Sequence, residues 1–227
     1  MKIAILYSGY PSYLHSCFDN HNKNIFSFFE NKSESLDFFG HFWKTESSLE
    51  EFPNDYRFIK DERIFTGYKL QNQESQKVIN YKDYKGDNIF PIHIGNTLSQ
   101  VFSWKESWKL MKVHEEAVKD KYDLVMRIRP DEYFKSQLSL SKKISLDTLY
   151  FNDMYVHLNF GLNDHFAFGN RELMFEYMNL YDNIYDLIDK GCPFNLELLL
   201  GFQLRIIKNI DIQKIKLDFD LYRRIFT

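Results

Sequence analysis

The sequence predicts an α/β protein in which a central, mostly parallel sheet is flanked by helices. Short apolar runs alternate along the chain with longer stretches whose apolar residues recur at helical spacing. Of the 227 residues, 44% are hydrophobic and 18% are aromatic, which is enough to build a substantial core. No repeat, low-complexity segment or linker divides the chain, so we expect one domain over residues 1–227.

The first half of the chain begins with an apolar run, Lys2–Tyr7, which predicts a buried strand. A turn leads from it into a helix predicted over about 13–30. Two further strands are predicted at 36–43 and 56–59, the second after a turn rich in Pro and Asn. The polar stretch 61–91 is expected to be the least regular region and a candidate lid or acceptor-side loop.

The clearest helix is predicted to begin at Thr97, because Thr97 and Gln100 have the spacing of a capping box. Trp104 and Trp108 follow at a spacing that places both on one face of this helix. We expect the two tryptophans to pack in the core and not to form a platform for a sugar.

The second half predicts an internal strand within 123–130 and a strand pair within 148–160. Asn170 is a predicted helix N-cap, and the helix behind it is expected to end before Gly191 and Pro193. Asn195 is expected to cap a last helix, and the run 212–217 alternates like an edge strand.

Charge and composition exclude several classes of partner. The net charge is -3 and the isoelectric point is near 6.2, so we expect no nucleic-acid partner and no binding to anionic lipid. No apolar run approaches the roughly 20 residues of a transmembrane helix, and the N-terminus is too quickly polar for a signal peptide. Cys17 and Cys192 lack metal-ligand spacing and are interpreted as reduced, buried thiols of a cytoplasmic protein.

The segment from Arg127 to Glu132 is the most informative candidate site. Residues two apart in a strand share a face, so Arg127, Arg129 and Asp131 are expected to project together. Two buried arginines suit a diphosphate, and a carboxylate at a strand end suits a divalent cation on the same phosphates. Alternatively, the arginines pair with Asp123, Asp131 or Glu132 and brace the edge of the sheet. The spacing alone leaves both possibilities open.

Two other positions are candidates for chemistry. Ser8 and Gly9 form the first strand-to-helix turn, where the backbone of an open α/β sheet commonly approaches a nucleotide. Asp164 stands in a predicted loop, where a carboxylate acts as a general base, contacts a sugar hydroxyl or simply forms a turn. His165 and the other histidines show no zinc-ligand spacing, and no nucleophile elbow is present.

Four segments, 5–9, 36–43, 122–131 and 164–169, together resemble a set of GT-A-type glycosyltransferases from bacterial surface-polysaccharide clusters and large DNA viruses. The resemblance follows the chain in order over nearly its whole length. It implies a nucleotide-sugar donor, a glycan or glycoconjugate acceptor, and a GT-A-like fold related to the Rossmann fold.

The resemblance also assigns the donor side of the site. The donor nucleotide is expected near Ser8 and Gly9, and Arg127 and Arg129 are expected to stabilise charge on the departing diphosphate. The Arg-x-Arg-Pro-Asp segment stands where other GT-A enzymes carry an Asp-x-Asp metal motif. Here one acid of that motif remains, Asp131, which is the candidate ligand for Mn²⁺ or Mg²⁺. The diphosphate could be stabilised with such a metal ion or by the arginines without it.

For the residues that contact the sugar and the acceptor, the resemblance leaves more than one assignment. His165 is assigned to donor binding. If the reaction inverts the sugar, Asp164 is the first candidate for the base that takes the acceptor proton and Glu197 is the second. If it retains the configuration, Asp164 is expected to bind the donor sugar instead.

Two rival functions are considered. A nucleotidyltransferase would need a triphosphate-binding loop of Gly and Lys, which the sequence lacks. A catalytically silent sugar- or nucleotide-binding domain fits the loss of the first acid of the motif. It also fits Ser12, which stands where members of the group often carry an arginine.

Overall fold

The computed structural model describes residues 1–11, 13–43, 57–61, 94–140, 143–154 and 161–226. Nine strands are assigned in this part of the chain. They are β1 (Lys2–Gly9), β2 (Ser35–Trp43), β3 (Arg57–Asp61), β4 (Leu124–Ile128), β5 (Glu132–Phe134), β6 (Leu149–Asn152), β7 (Ala167–Asn170), β8 (Ile212–Ile215) and β9 (Phe219–Leu221).

Seven of the described strands form one sheet in the order β3-β2-β1-β4-β7-β6-β8. β1 runs parallel to β2 and β4, β2 runs parallel to β3, and β6 runs parallel to β8. β7 is antiparallel to both of its neighbours, β4 and β6. The remaining strands therefore share one direction, and the predicted α/β class with a mostly parallel sheet is confirmed.

Helices connect these strands and cover the sheet. They are α1 (Leu14–His21), α2 (Ser27–Glu30), α3 (Ile94–Val118), α4 (Arg171–Met178), α5 (Leu180–Asp189), α6 (Leu196–Gly201) and α7 (Tyr222–Phe226). A π-helical turn, Asn22–Phe26, joins α1 to α2, and a second one, Phe202–Ile207, extends α6.

The core lies in two layers, one on each face of the sheet. Alternate residues of a strand point to opposite faces, so Leu6 and Val125 belong to the layer under α3–α6. Ile5 and Met126 belong to the layer under α1 and α2. Trp104 and Trp108 are buried in the first layer, which confirms their predicted packing role.

The helix starts show which capping predictions hold. The Asn170 side chain accepts a hydrogen bond from Leu173 N at 2.8 Å, and that of Asn195 accepts one from Leu198 N at 3.1 Å. Both predicted N-caps are therefore confirmed. The capping box at Thr97 is wrong, because α3 already begins at Ile94 and Thr97 lies buried within it.

Several other elements differ from the prediction. A strand, β7, occupies 167–170, where no strand was predicted, and the helix behind Asn170 is two helices that meet at Asn179. β5 and β9 form a small antiparallel sheet that was not predicted. Ser12 and the segments 62–93 and 155–160, which include the expected lid, lie outside the described residues.

Among the described helices, none combines the length and the apolar character needed to cross a membrane. Cys17 and Cys192 are free and buried, as predicted. Burial raises the pKa of each thiol to about 12, aided at Cys17 by nearby carboxylates.

Candidate functional site

The candidate residues meet at the edge of the sheet where the parallel strands end. Ser8 and Gly9 close β1, and Tyr7 pairs with Ile128, the last residue of β4, so Arg129 emerges beside them. β7 runs the opposite way, and its first residue pairs with Arg127. The loop that carries Asp164 and His165 into β7 therefore starts at the same edge. Open α/β sheets bind their ligands at this edge.

Arg127 lies beneath the site and is fully buried. It points into the same layer as Val125, while Met126 faces the other layer, as the strand period predicts. Its Nη1 donates a hydrogen bond to the carbonyl of His165 at 2.7 Å, and its guanidinium lies 4.7 Å from the centre of the Trp104 ring. Within the described chain, Nε and Nη2 have no hydrogen-bond partner. Burial lowers the pKa of this guanidinium.

Arg129 and Asp131 form a two-pronged pair just above Arg127. Nε of Arg129 donates to Oδ1 of Asp131 at 3.0 Å, and Nη2 donates to Oδ2 at 3.1 Å. The side chains are 22% and 15% exposed, so both remain accessible. Burial opposes ionisation of Asp131, but the charge of Arg129 outweighs it and lowers the pKa of the carboxyl. The spacing left open whether Arg129 binds a ligand or pairs with a nearby carboxylate, and the structure shows it paired with Asp131.

Asp164 faces this pair from the loop before β7. Nε2 of Gln100, on α3, donates a hydrogen bond to Oδ2 of Asp164. Oδ1 lies 3.7 Å from Nε2 of His165, and the Asp164 side chain is 12% exposed. Burial would raise the pKa of Asp164, but His165, Arg129 and Arg127 together lower it. Asp164 is therefore an ionised acceptor that already holds one amide donor.

His165 lies between two carboxylates. Its Nδ1 is 3.0 Å from Oε1 of Glu132, although the ring nitrogen and the carboxylate are not aligned for a hydrogen bond. Glu132 is fully buried, and burial raises its pKa against the opposing charges of His165, Arg127 and Arg129. The His165 side chain is 16% exposed. A buried carboxylate thus stands behind a partly exposed imidazole.

A fully buried histidine, His21, contacts the backbone of Glu132. Nε2 of His21 lies 2.6 Å from the carbonyl of Glu132, and its Nδ1 lies 2.8 Å from the hydroxyl of Tyr7. The carbonyl can only accept, so the neutral ring carries its proton on Nε2 and accepts from Tyr7 on Nδ1. Burial lowers the pKa of His21 to about 4.

The turn after β1 is shaped by its backbone. Gly9 has a φ of 117°, a conformation that residues with a side chain rarely adopt, although a Cβ there would meet nothing within 4 Å. The hydroxyl of Ser8 is buried and has no hydrogen-bond partner in the described chain. Ser8 and Gly9 thus lie at the predicted edge, with one polar group available to a ligand.

Glu197 lies in the first turn of α6, and its carbonyl accepts a hydrogen bond from Leu162 N at 3.0 Å. This bond ties α6 to the chain two residues before Asp164.

Asp131 is the predicted ligand for a divalent cation. Both oxygens of Asp131 are bound by Arg129. The described residues contain no group of three or more His, Cys, Asp or Glu side chains that could hold a metal ion. They do not form a metal centre built by the protein alone, and binding of Mn²⁺ or Mg²⁺ at Asp131 stays a prediction.

Two residues of the candidate site, Gln100 and Glu132, are not recognised from the sequence. Gln100 was assigned to a helix cap, but its amide reaches Asp164, 64 residues away. Glu132 is predicted only as a pairing partner for the arginines, since it directly follows the Arg-x-Arg-Pro-Asp segment. Its position behind His165 has no signal in the sequence.

The comparisons with known proteins give likenesses in structure only. No family model matches the chain, and no curated protein matches it in sequence. Among solved structures, the chain is similar to the glycosyltransferase GlyE of Streptococcus pneumoniae TIGR4, with a TM-score of 0.40 and 14% identity over 94% of this chain. It is similar to mouse xyloside xylosyltransferase 1, with a TM-score of 0.45 and 11% identity over 95% of this chain. An active-site mutant of LgtC gives a TM-score of 0.45 and 11% identity over 89% of this chain.

The matched part differs among these structures. The chain spans 45% of GlyE, 85% of the mouse enzyme and 69% of LgtC. The likenesses concern the general course of the chain, and no residue role follows from them.

Proposed function

We propose that the chain is a glycosyltransferase that moves a sugar from a nucleotide-sugar donor to a hydroxyl group of a glycan or another acceptor. One observation carries the proposal: an accessible pair, Arg129 and Asp131, lies close enough to Asp164 and His165 for their charges to interact, at the carboxyl edge of the parallel strands. The resemblance of the sequence to GT-A-type glycosyltransferases supports the same function.

The transfer needs charge stabilisation where the donor breaks. The bond between the anomeric carbon and the diphosphate oxygen breaks, the acceptor oxygen bonds to that carbon, and the acceptor loses its proton. Arg129 can meet the negative charge on the diphosphate, since a guanidinium has five N–H donors and Asp131 takes two of them. Arg129 therefore binds the leaving group without giving up Asp131.

Arg127 has a different role in this proposal. Because it is fully buried, it acts on the leaving group through its charge and does not touch the donor. Its bond to the carbonyl of His165 also fixes the loop that carries Asp164. Removing Arg127 should therefore disturb the geometry of the site as well as its charge.

Asp164 is the side chain that faces the sugar. In an inverting reaction it is the first candidate for the group that receives the acceptor proton, and in a retaining one it accepts hydrogen bonds from the donor sugar. Glu197 remains the second candidate for the base. The lowered pKa of Asp164 favours hydrogen bonding over proton transfer, since a weak base gains little by taking a proton.

No step of the proposal passes through a metal ion. A divalent cation, if required, would be held mainly by the phosphates of the donor, with Asp131 as the protein carboxylate nearest to hand. Mn²⁺ or Mg²⁺ at this position is an expectation that the binding experiment below tests.

Thermal unfolding with candidate donors tests the proposal. UDP-, GDP-, dTDP- and CMP-sugars are each added with Mn²⁺, Mg²⁺ or EDTA. A donor at a hundred times its Kd adds about 2.7 kcal/mol to the stability, which raises the Tm visibly. We expect one nucleotide class to raise the Tm of the wild type. A shift only with metal places a cation at Asp131, and a shift in EDTA assigns the diphosphate to Arg129.

Matched variants locate the binding. Arg129→Gln should lose the shift, whereas Arg171→Gln should keep it. Arg171 is a suitable control because it also holds a carboxylate with two prongs, that of Glu115, and is 20% exposed. The absence of a shift with every donor would contradict the proposal.

The second candidate function is a silent domain that binds a sugar or nucleotide without turnover. The observation that favours it is that Asp131 stands alone as an acid in the Arg-x-Arg-Pro-Asp segment and is already bound by Arg129. Slow hydrolysis of the donor separates the two, because a transferase passes some sugar to water and a pure binder releases no nucleoside diphosphate.

A further inference from the structure

The backbone of His165 is held by two hydrogen bonds, and its partly exposed imidazole lies against other side chains. Its backbone N donates to Oδ1 of Asn163 at 2.8 Å, and its carbonyl accepts from Arg127. The centre of the Phe219 ring lies 5.0 Å from the centre of the imidazole. Glu132 lies behind Nδ1 at 3.0 Å. The ring therefore has a defined orientation, with one nitrogen turned inward and the other toward Asp164.

Glu132 is itself fixed in place. Its backbone pairs with Leu221 of β9, and its carbonyl accepts from His21. Its carboxylate is fully buried and has no hydrogen-bond partner among the described residues, while the ion-pair distance to His165 is short. Burying a carboxylate without a hydrogen-bond partner costs free energy. Hydrogen bonds between catalytic groups are often poorly aligned without substrate and tighten when substrate binds.

The chemistry of the two groups determines where the proton of the ring belongs. Burial raises the pKa of Glu132, but when its carboxylate is ionised it only accepts hydrogen bonds, and a neutral His165 facing it then carries its proton on Nδ1. Nε2 is then an unprotonated acceptor. It lies 3.7 Å from Oδ1 of Asp164, which also only accepts, so the single proton of an acceptor hydroxyl placed here goes to one of these two atoms.

We propose that Glu132 and His165 form an orienting pair, in which the carboxylate holds the imidazole so that Nε2 takes the proton of the acceptor hydroxyl. This inference rests on the proposed glycosyl transfer. As the acceptor oxygen bonds to the anomeric carbon and the diphosphate leaves, the acceptor O–H bond breaks and its proton forms a bond with Nε2. The charges of Asp164 and Glu132 stabilise the imidazolium that forms, and Glu132 is the positioning residue.

A purely structural role for Glu132 makes different predictions. In that case the carboxylate only balances the buried charge of Arg127. Which nitrogen of the His165 ring carries the proton then does not depend on Glu132. Both roles predict that loss of Glu132 lowers stability, so stability alone does not distinguish them.

The tautomer of His165 distinguishes them without any donor. Nitrogen NMR of ¹⁵N-labelled protein, at a pH where the ring is neutral, separates the protonated from the unprotonated nitrogen of each imidazole. The His165 signals are assigned by their absence in His165→Gln. We expect the wild type to carry the proton on Nδ1 and Glu132→Gln to lose much of that form. A wild-type ring protonated on Nε2 would overturn the proposal, even if Glu132→Gln fails to fold.

Turnover gives the second readout. Glu132→Gln should lower kcat roughly a hundredfold and leave the donor-induced rise in Tm unchanged. Adding Glu132→Gln to His165→Gln should cause little further loss, since both remove one pair. Glu115→Gln is the matched control, because it removes a 5% exposed carboxylate that is paired with Arg171 and should leave kcat unchanged. An equal loss of kcat in Glu115→Gln, or independent losses in the double variant, would contradict the pair.

The two readouts fail separately. If no donor is turned over, the glycosyltransferase proposal fails, but the tautomer measurement still decides whether Glu132 orients His165. If donors are turned over and the tautomer is wrong, the orienting pair fails and Asp164 becomes the base.

Discussion

Arg129 holds Asp131 through two parallel hydrogen bonds, from Nε to Oδ1 at 3.0 Å and from Nη2 to Oδ2 at 3.1 Å. The pair lies at the carboxyl edge of the sheet with both side chains partly exposed. Three N–H donors of Arg129 remain for a ligand. The same two hydrogen bonds engage both oxygens of Asp131, the one acid that was expected to bind metal. The proposal therefore rests on charge stabilisation by Arg129 more than on a metal ion.

Asp131→Ala should abolish sugar transfer and leave the fold intact. The change removes the partner that orients Arg129 and any contact to a cation, while the side chain lies at the edge of the core. Transfer is measured together with circular dichroism and the Tm. Normal turnover by the variant would remove Asp131 from the site.

Arg127→Met should destabilise the protein by about 3–5 kcal/mol. The fully buried guanidinium balances Glu132 and Asp164, and its loss leaves those carboxylates uncompensated. Urea unfolding measures the change in the free energy of unfolding. Arg171→Met, at a more exposed pair, should cost less, and an equal cost at both positions would contradict the role of Arg127.

Gln100→Leu should lower kcat roughly tenfold, which corresponds to about 1.4 kcal/mol of transition-state stabilisation. The variant loses the amide that holds Oδ2 of Asp164. Steady-state kinetics should show the effect in kcat, with the donor-induced rise in Tm preserved. Lys109→Ala, at a 54% exposed side chain of the same helix, is the control and should behave as the wild type. An unchanged kcat in Gln100→Leu would mean that Asp164 needs no such support.

The stability of the protein should fall as the pH is lowered from about 6.5 to about 4. Over this range the unfolded chain protonates His21, whereas in the folded protein burial lowers the pKa to about 4. The folded state therefore binds fewer protons, and His21 alone costs roughly 3 kcal/mol by the end of the range. Urea unfolding at several pH values measures the slope. His21→Gln should flatten it, and an unchanged slope would show that other groups cause it.

Much of the sheet could be predicted because its strands are apolar on both faces. β1, β2 and β4 stand out as short apolar runs, and Asn170 and Asn195 mark two helix starts through side chains that bond to the backbone. β7 was missed because four residues leading directly into a helix carry no period of their own. β5 and β9 have three residues each and are defined by pairing with one another, which no local pattern reveals.

The site was predictable where its residues lie together in the chain. Arg127, Arg129 and Asp131 lie within five residues of the chain, although β4 ends at Ile128 and the strand period therefore applies to Arg127 alone. Gln100 and Glu132 act on residues far away in the sequence, Asp164 and His165, and only the fold brings them together. Because α3 starts at Ile94, ahead of Thr97, Gln100 lies inside the helix and takes no part in the expected cap.

Release of nucleoside diphosphate from a nucleotide-sugar is the measurement that tests the central claim most directly. It is followed for the wild type, Arg129→Gln and the control Arg171→Gln, with each donor class and with metal or EDTA. We predict release with one donor class, faster when an acceptor glycan is present, and a loss of roughly a hundredfold or more in Arg129→Gln alone. Binding of a donor with no release under any condition would contradict the account and leave the silent binding domain.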